Sequence, residues 1–350
     1  MKRKSLSVKK ITHKTLNKQL SDKKILKIYK IFKNNIKITK NTKKIAGAIS
    51  GGQDSLALAF FLKCFSLERK IKVYAYHIDH KLRKNSTSQA KELKKILKKI
   101  DMKLVTNSWI GKKTLTSIQA EARKNRYKLI YKQSCKDKIK DVIFAHTEED
   151  IIENFFIRII RGSGLEGFVS FNSNFNKYSN KLNILRPLIN VKKDDFRYVT
   201  LKVFGTYIND PSNTDNAFKR VRIRKILRIL KSEGFDLNKI LLTVNNLTNT
   251  NKAIRYYSEK NICSNFQKIN KNTFIANQKF LKEPDEIVLR SLIKIIRDVG
   301  DNYYPPRGKQ VINLIKSLRS SEIHKSTLSN CVIEKMNNSV IFYREKQKKG

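Results

Sequence analysis

Acidic residues are scarce in this chain: 29 Asp and Glu stand against 76 Lys and Arg in 350 residues, a formal net charge of +47. A field of that sign attracts polyanions and steers their approach. It argues against work on small neutral metabolites and for nucleic acid as a partner. Asn and Ile are also abundant, so AT-biased coding toward Lys is a plainer source for part of the excess. Cysteine is rare as well. Cys64, Cys135, Cys263 and Cys331 are widely spaced and form no Cys-x-x-Cys pair, which excludes a zinc ligand set of that type and a disulfide framework. Idle thiols in a reducing compartment fit better. No apolar run approaches the ~18 residues of a membrane span. The basic start Met1-Lys2-Arg3-Lys4 leads into no apolar signal-peptide core. No internal repeat is present. A cytoplasmic protein without a membrane partner is expected, with a hydrophobic content of 40% that is ample for a core and a length that suits two or three domains.

The Walker pattern Gly-x-x-x-x-Gly-Lys-Ser/Thr is missing too. In its place stands Ser50-Gly51-Gly52-Gln53-Asp54-Ser55, between the apolar run Ile45–Ile49 and a helical stretch from Leu56 to Phe65. Paired glycines let the backbone turn tightly and bring its N–H groups close to a ligand. The helix start behind them adds unpaired N–H groups and a positive dipole end. Ser50 and Ser55 offer hydroxyls, and Asp54 a carboxylate suited to Mg²⁺. The plainer alternative is a tight strand-to-helix turn in which Asp54 and Ser55 are ordinary caps.

Around this loop the chain reads as alternating strands and helices. Strands are expected at Lys72–His80, Lys103–Asn107 and Asp141–Ala145, with helices at Leu20–Phe32, Ser88–Ile100 and Leu115–Cys135. That alternation predicts a parallel sheet covered on both faces, with ligands beyond the carboxyl ends of its strands. The loop at Ser50, His80 and His146 then fall at one crevice. Three further clusters carry chemistry: His77 to Arg83; Glu121-Ala122-Arg123-Lys124-Asn125-Arg126-Tyr127; and His146-Thr147-Glu148-Glu149-Asp150-Ile151-Ile152-Glu153. Guanidinium groups grip phosphate or carboxylate bidentately. Acids in a first helical turn serve the helix dipole, yet beside a phosphate loop they also suit Mg²⁺ or base work.

These motifs, followed by Arg161-Gly162-Ser163-Gly164-Leu165, Arg186-Pro187-Leu188, Asp210-Pro211-Ser212-Asn213 and Arg220-x-Arg222-Ile223-Arg224, occur in the order and spacing of tRNA(Ile)-lysidine synthases. The resemblance, to a family within the PP-loop ATP pyrophosphatases, covers residues 45 to 225 strongly and 285 to 345 weakly. It departs at Glu149-Asp150-Ile151, where the family usually has Asp-Asp-Gln. The resemblance implies an α/β fold with a parallel sheet and helices on both faces (adenine nucleotide α-hydrolase-like), then a smaller, mostly helical α+β domain. It divides the chain into a basic N-terminal helix at 1–44, a catalytic domain at 45–220, and a linker helix with a tRNA-binding domain at 221–350. The extra last domain of longer members is not expected.

The implied reaction joins free L-lysine to the wobble cytidine of tRNA(Ile) with a CAU anticodon, using ATP and Mg²⁺ and passing through an adenylated base. The implied ATP site is Ser50, Gly51, Gly52, Gln53, Asp54, Ser55 and His80, with Asp54 as the Mg²⁺ ligand. Asp54, Arg123, His146, Glu149 and Asp150 are implied in catalysis, with Asp150 or Glu149 taking the amine proton and Arg123 on phosphate or the lysine carboxylate. Arg161, Arg220, Arg222 and Arg224 are implied in tRNA contact. Farther on, Lys231–Asn265 is expected as helix with Asn-rich turns; Tyr303, Tyr304 and Arg307 suit stacking or phosphate contact, and the tyrosines suit core or rim packing equally well. A tRNA thiolase and a non-catalytic RNA-binding protein are the rival readings.

Overall fold

The computed structural model describes residues 13–81, 86–110, 118–169, 182–210, 215–302, 305–320 and 324–345. Leu82, Arg83, Pro211, Ser212, Asn213, Tyr303 and Tyr304, singled out above, lie outside them. The chain divides into two compact units, Met1–Leu241 and Leu242–Gly350.

The first unit opens with helices α1 (His13–Leu20) and α2 (Lys23–Asn35) rather than one helix from Leu20. The break is chemical: the Asp22 carboxylate accepts from the Lys24 and Ile25 N–H groups and caps a new helix start. There follow β1 (Lys44–Ala48), α3 (Gln53–Arg69), β2 (Lys72–Asp79), α4 (Ser86–Lys99), β3 (Lys103–Ser108), α5 (Ile118–Asp137), β4 (Asp141–Phe144), α6 (Glu148–Ile159), the short α7 (Leu165–Val169), β5 (Asn183–Leu185), α8 (Lys193–Phe204) and α9 (Lys219–Ser232). The sheet order is β3-β2-β1-β4-β5, all parallel.

Helix α3 has little amphipathic character because both its sides are covered. Every residue from Leu56 to Leu62 is fully buried, packed between the sheet and helices α2 and α8. Phe32, Phe61 and Phe65 form an aromatic cluster on its outer side. Gly47 in β1 permits this close approach, since a Cβ there would lie 2.4 Å from Leu62 Cδ1. The basic N-terminal helix is thus part of this core, with Ile25, Ile28, Tyr29 and Phe32 all buried in it.

The boundary between units falls within α10 (Leu237–Asn265), a continuous helix of 29 residues. No Asn-rich turn interrupts it. Its hydroxyl side chains bond back one turn instead, Thr248 to the Val244 carbonyl at 2.7 Å and Ser258 to that of Ile254 at 2.8 Å. The second unit carries β6 (Phe266–Asn270), β7 (Thr273–Asn277), a 3₁₀ turn (Gln278–Lys282), α11 (Asp285–Val299), α12 (Gly308–Ser320), β8 (Lys325–Leu328), β9 (Cys331–Met336) and β10 (Ser339–Arg344). Its sheet is antiparallel in the order β6-β7-β10-β9-β8. The core joins Val288, Leu292 and Ile296 of α11 and Val311 and Leu318 of α12 to Ile333, Val340 and Phe342 of the sheet.

Candidate active site

Strand order reverses beside β1: β2 and β3 extend to one side, β4 and β5 to the other. Loops leaving β1 and β4 therefore diverge to opposite faces and open a crevice at their carboxyl ends. A cavity of about 480 Å³ occupies it, lined by the Ser50–Ser55 loop, His77, His146, Asp150, Lys193 and several arginines.

The loop is braced from within. Ser55 Oγ donates to the Gly52 carbonyl at 2.9 Å and accepts from the Ser50 and Gly51 N–H groups at 3.2 and 3.0 Å. Gly51 has φ +98° and sits against Ile208, whose N–H donates to the Gly51 carbonyl at 2.9 Å. A Cβ on residue 51 would lie 2.8 Å from Ile208 Cδ1, so conformation and space both call for glycine. Gly52 is the N-cap of α3 and supplies no side-chain acceptor. The first-turn N–H groups of α3 thus present the arrangement that binds phosphate at helix starts.

Asp54 Oδ1 is buried and has no hydrogen-bond partner. Burial pushes its carboxyl up to about 6, Lys193 opposes that rise and the neighbouring Asp150 adds to it. An orphaned carboxylate oxygen at a phosphate-type loop fits Mg²⁺, which needs only one or two protein carboxylates beside phosphates and water. Among the described residues no group of three or more His, Cys, Asp and Glu side chains forms a protein-only metal cage.

Asp150 lies at the first turn of α6 and lines the cavity. Its Oδ2 accepts from the Thr147 N–H at 3.0 Å and hydroxyl at 3.2 Å, closing a capping box. Burial works to raise its pKa, but Lys193, the Thr147 N–H donor and Arg220 outweigh it and hold Asp150 in the anionic form. Glu149 turns elsewhere. Its Oε1 accepts from the Lys193 N–H at 3.1 Å, at the start of α8, and it is not in the cavity wall. The two acids that were interchangeable in the sequence thus occupy different surroundings.

The cations sort by helical geometry. Arg220, Arg224 and Arg228 recur every fourth residue on α9 and line the cavity, whereas Arg222 and, beyond α6, Arg161 are exposed. Arg224 grips Glu153 through Nε at 2.5 Å and a terminal nitrogen at 3.2 Å, so a buried acid holds a partly exposed guanidinium. Lys193 Nζ completes that group at 3.6 Å from Glu153. On α5 the cavity takes Arg126, while Arg123 stacks over the Tyr127 ring at 5.2 Å. His80 is likewise outside the wall. Its ring packs edge-on to Trp109, with both nitrogens buried and unpartnered, and burial lowers its pKa to about 4. His77 holds the corresponding place in the cavity, its Nδ1 donating to the Ile49 carbonyl at 2.9 Å.

Lys193, Arg228 and Tyr207 are cavity residues that no sequence motif flagged. Lys193 and Tyr207 reach the loop because α8 packs on α3, where Thr200 Oγ1 donates to the Gln53 carbonyl at 2.7 Å, and Arg228 is carried in by α9, which packs on α6.

Residues 20–230 match the model of the PP-loop domain family. The tRNA(Ile)-lysidine synthase of Orientia tsutsugamushi (strain Boryong) is 34% identical over 86% of this chain and 70% of its own length. That of Wolbachia pipientis wMel is 28% identical over 86% of this chain and 70% of its own. Among solved structures, the U34-tRNA thiolase NcsA from Methanococcus maripaludis with its 4Fe-4S cluster has a TM-score of 0.55 at 16% identity. It covers 64% of this chain and 79% of its own, a likeness of fold. The PP-loop match over more than half of the chain and the identity to curated relatives agree with the cavity built around Ser50–Ser55, and the chain belongs to the tRNA(Ile)-lysidine synthase family of PP-loop proteins.

Proposed function

We propose that the chain joins free L-lysine to the wobble cytidine of a CAU-anticodon tRNA(Ile), forming lysidine and turning AUG reading and methionine charging into AUA reading and isoleucine charging. The observation that carries this is the convergence of the phosphate-type loop, an ionised Asp150 and a ring of cations on one cavity. Cytosine O2 is a poor leaving group, so it must be activated before an amine displaces it. It attacks the α-phosphate of ATP, pyrophosphate departs, and the ε-amine of lysine then displaces AMP.

The first-turn N–H groups of α3 and the loop backbone hold phosphate oxygens as charge develops on them. Lys193, Arg126 and Arg220 add positive field around the leaving pyrophosphate. Asp54 is the residue that would hold Mg²⁺, which would supply charge neutralisation on phosphate oxygens. Asp150 takes the proton from the attacking ammonium, being the cavity carboxylate not assigned to the ion. Glu149 acts at one remove by fixing the start of α8. Arg123 serves phosphate or the lysine carboxylate, and the exposed Arg161 and Arg222 serve tRNA, together with the unit Leu242–Gly350 as a docking domain. The substrates place the reaction in the cytoplasm. No described helix is long and apolar enough to cross a membrane.

The test is mass spectrometry of nucleosides from CAU-anticodon tRNA(Ile) after incubation with the protein, ATP, Mg²⁺ and lysine, beside initiator tRNA(Met). A lysine adduct on cytidine in the first tRNA alone is the expected result. ATP consumption without an adduct would point to another nucleophile or RNA, and neither would mean an RNA-binding protein without turnover.

A further inference from the structure

His146 and Arg186 stand just beyond the carboxyl ends of β4 and β5, parallel neighbours in which Ile143 pairs with Leu185. That register brings the Arg186 Nε to 2.8 Å from His146 Nδ1. A guanidinium only donates, and it keeps its proton throughout the pH range of a folded protein. Nδ1 must therefore be the acceptor. The single proton of the ring then sits on Nε2, and the imidazole is neutral. A second proton could be added only at Nδ1, which would set N–H against N–H and cation against cation. The ring plane is fixed too, since His146 stacks on Phe144 at 5.6 Å with 4° between planes.

The charged groups around the ring act in the same sense. Burial, then Arg186, press the His146 pKa down to about 3; Arg123 and Arg220 add to this, and Asp150 is the acid that opposes it. His146 lines the cavity that holds the loop and Asp150.

We propose that Arg186 is a positioning residue that holds His146 as a neutral Nε2–H donor toward an oxygen of the bound nucleotide or base. His146 is thereby removed from proton acceptance, and the proton shed by the lysine ammonium goes to a carboxylate, Asp150. The inference about proton location stands on geometry alone; its use in the reaction rests on the lysidine-forming proposal.

The experiment is long-range ¹H–¹⁵N correlation of the full chain labelled with ¹⁵N-histidine. His146 is assigned by its loss in His146→Gln, against His13, His77, His80 and His324. In the wild type, His146 should show a protonated Nε2 and bare Nδ1 at every pH from about 5 to about 8. In Arg186→Met the ring should become a mixture of tautomers and protonate at higher pH, and Arg186→Lys, which keeps a donor, should restore the wild-type pattern in part. Turnover in Arg186→Met should fall on the order of 10-fold or more, with the KM for lysine within about 3-fold. A wild-type spectrum with the proton on Nδ1, or with both nitrogens protonated, overturns the proposal even if the variant fails to fold. So does an unchanged Nε2–H tautomer in Arg186→Met. If the wild-type spectrum is as expected but no lysidine forms, the reaction is misassigned and the proton location holds.

Discussion

In the first unit every residue of β4 is buried, whereas β10 in the second unit alternates between fully and partly buried positions. The two patterns follow from connectivity. Parallel strands require crossover helices, which cover both faces and leave loops at the strand ends as the place where ligands can enter. Antiparallel strands joined by turns need cover on one face only, and here α11 and α12 belong to the core beside them. The first sheet therefore gathers residues from positions 48 to 228 into one cavity. The second leaves edge strand β6 exposed along most of its length and β8 exposed at alternate residues, and its ion pairs lie largely in solvent, as Arg255–Glu259 does with side chains 75% and 45% exposed. Around the first unit's cavity charge is concentrated and partly desolvated; in the second unit it is spread over surface.

The contrast predicts very unequal responses to similar changes. The largest concerns catalysis: Asp54→Ala should lower pyrophosphate release by about 10³-fold or more while tRNA affinity stays within about 3-fold. Equal loss of both, measured by pyrophosphate assay and filter binding, would break the separation of chemistry from docking. Next comes stability. Glu153→Ala removes the buried acid between Arg224 and Lys193, whose own side chains stay partly exposed, and should cost the first unit about 2–3 kcal/mol in urea unfolding. Smaller again is the effect of relieving a strained charge. The Asp54 carboxyl, at about 6 when folded against about 3.9 unfolded, contributes stability that is complete below about pH 4 and lost as pH rises through about 6. Asp54→Asn, which cannot ionise, should therefore be more stable than wild type at pH 7 by about 2 kcal/mol, with the gain vanishing near pH 4. Denaturation midpoints at three pH values check the sign. Smallest, Glu259→Ala in the second unit should shift stability by less than about 0.5 kcal/mol. A larger shift would mean that its charges are organised like those of the first unit.

Some residues announced their surroundings locally and some did not. The loop was legible because two glycines, a strand before it and a helix after it leave few conformations open. Helix α9 was legible in part: a spacing of four puts Arg220 and Arg224 on one face and turns Arg222 away, although their cluster had looked uniform. Asp150 and Glu149 were not separable, since adjacent acids at a helix start have the same local chemistry until the neighbours of each are known. Lys193 was silent. Nothing near it in the chain marks it, and its role depends on a helix packing across the sheet some 140 residues from the loop. In the second unit, β8 carries little signal because a one-sided strand of four residues resembles a polar loop.

The sequence by itself determined the alternating α/β order, the phosphate-type loop, the family, and the excess of positive charge, because each depends on residues close in the chain or on sums over it. Only the tertiary structure decided which carboxylate faces the cavity, that Arg224 is bound to Glu153, that His77 rather than His80 enters the wall, and that Arg186 sets the proton of His146. Those outcomes depend on the parallel register of strands and the crossing of helices, which bring together groups tens of residues apart and withdraw them from water.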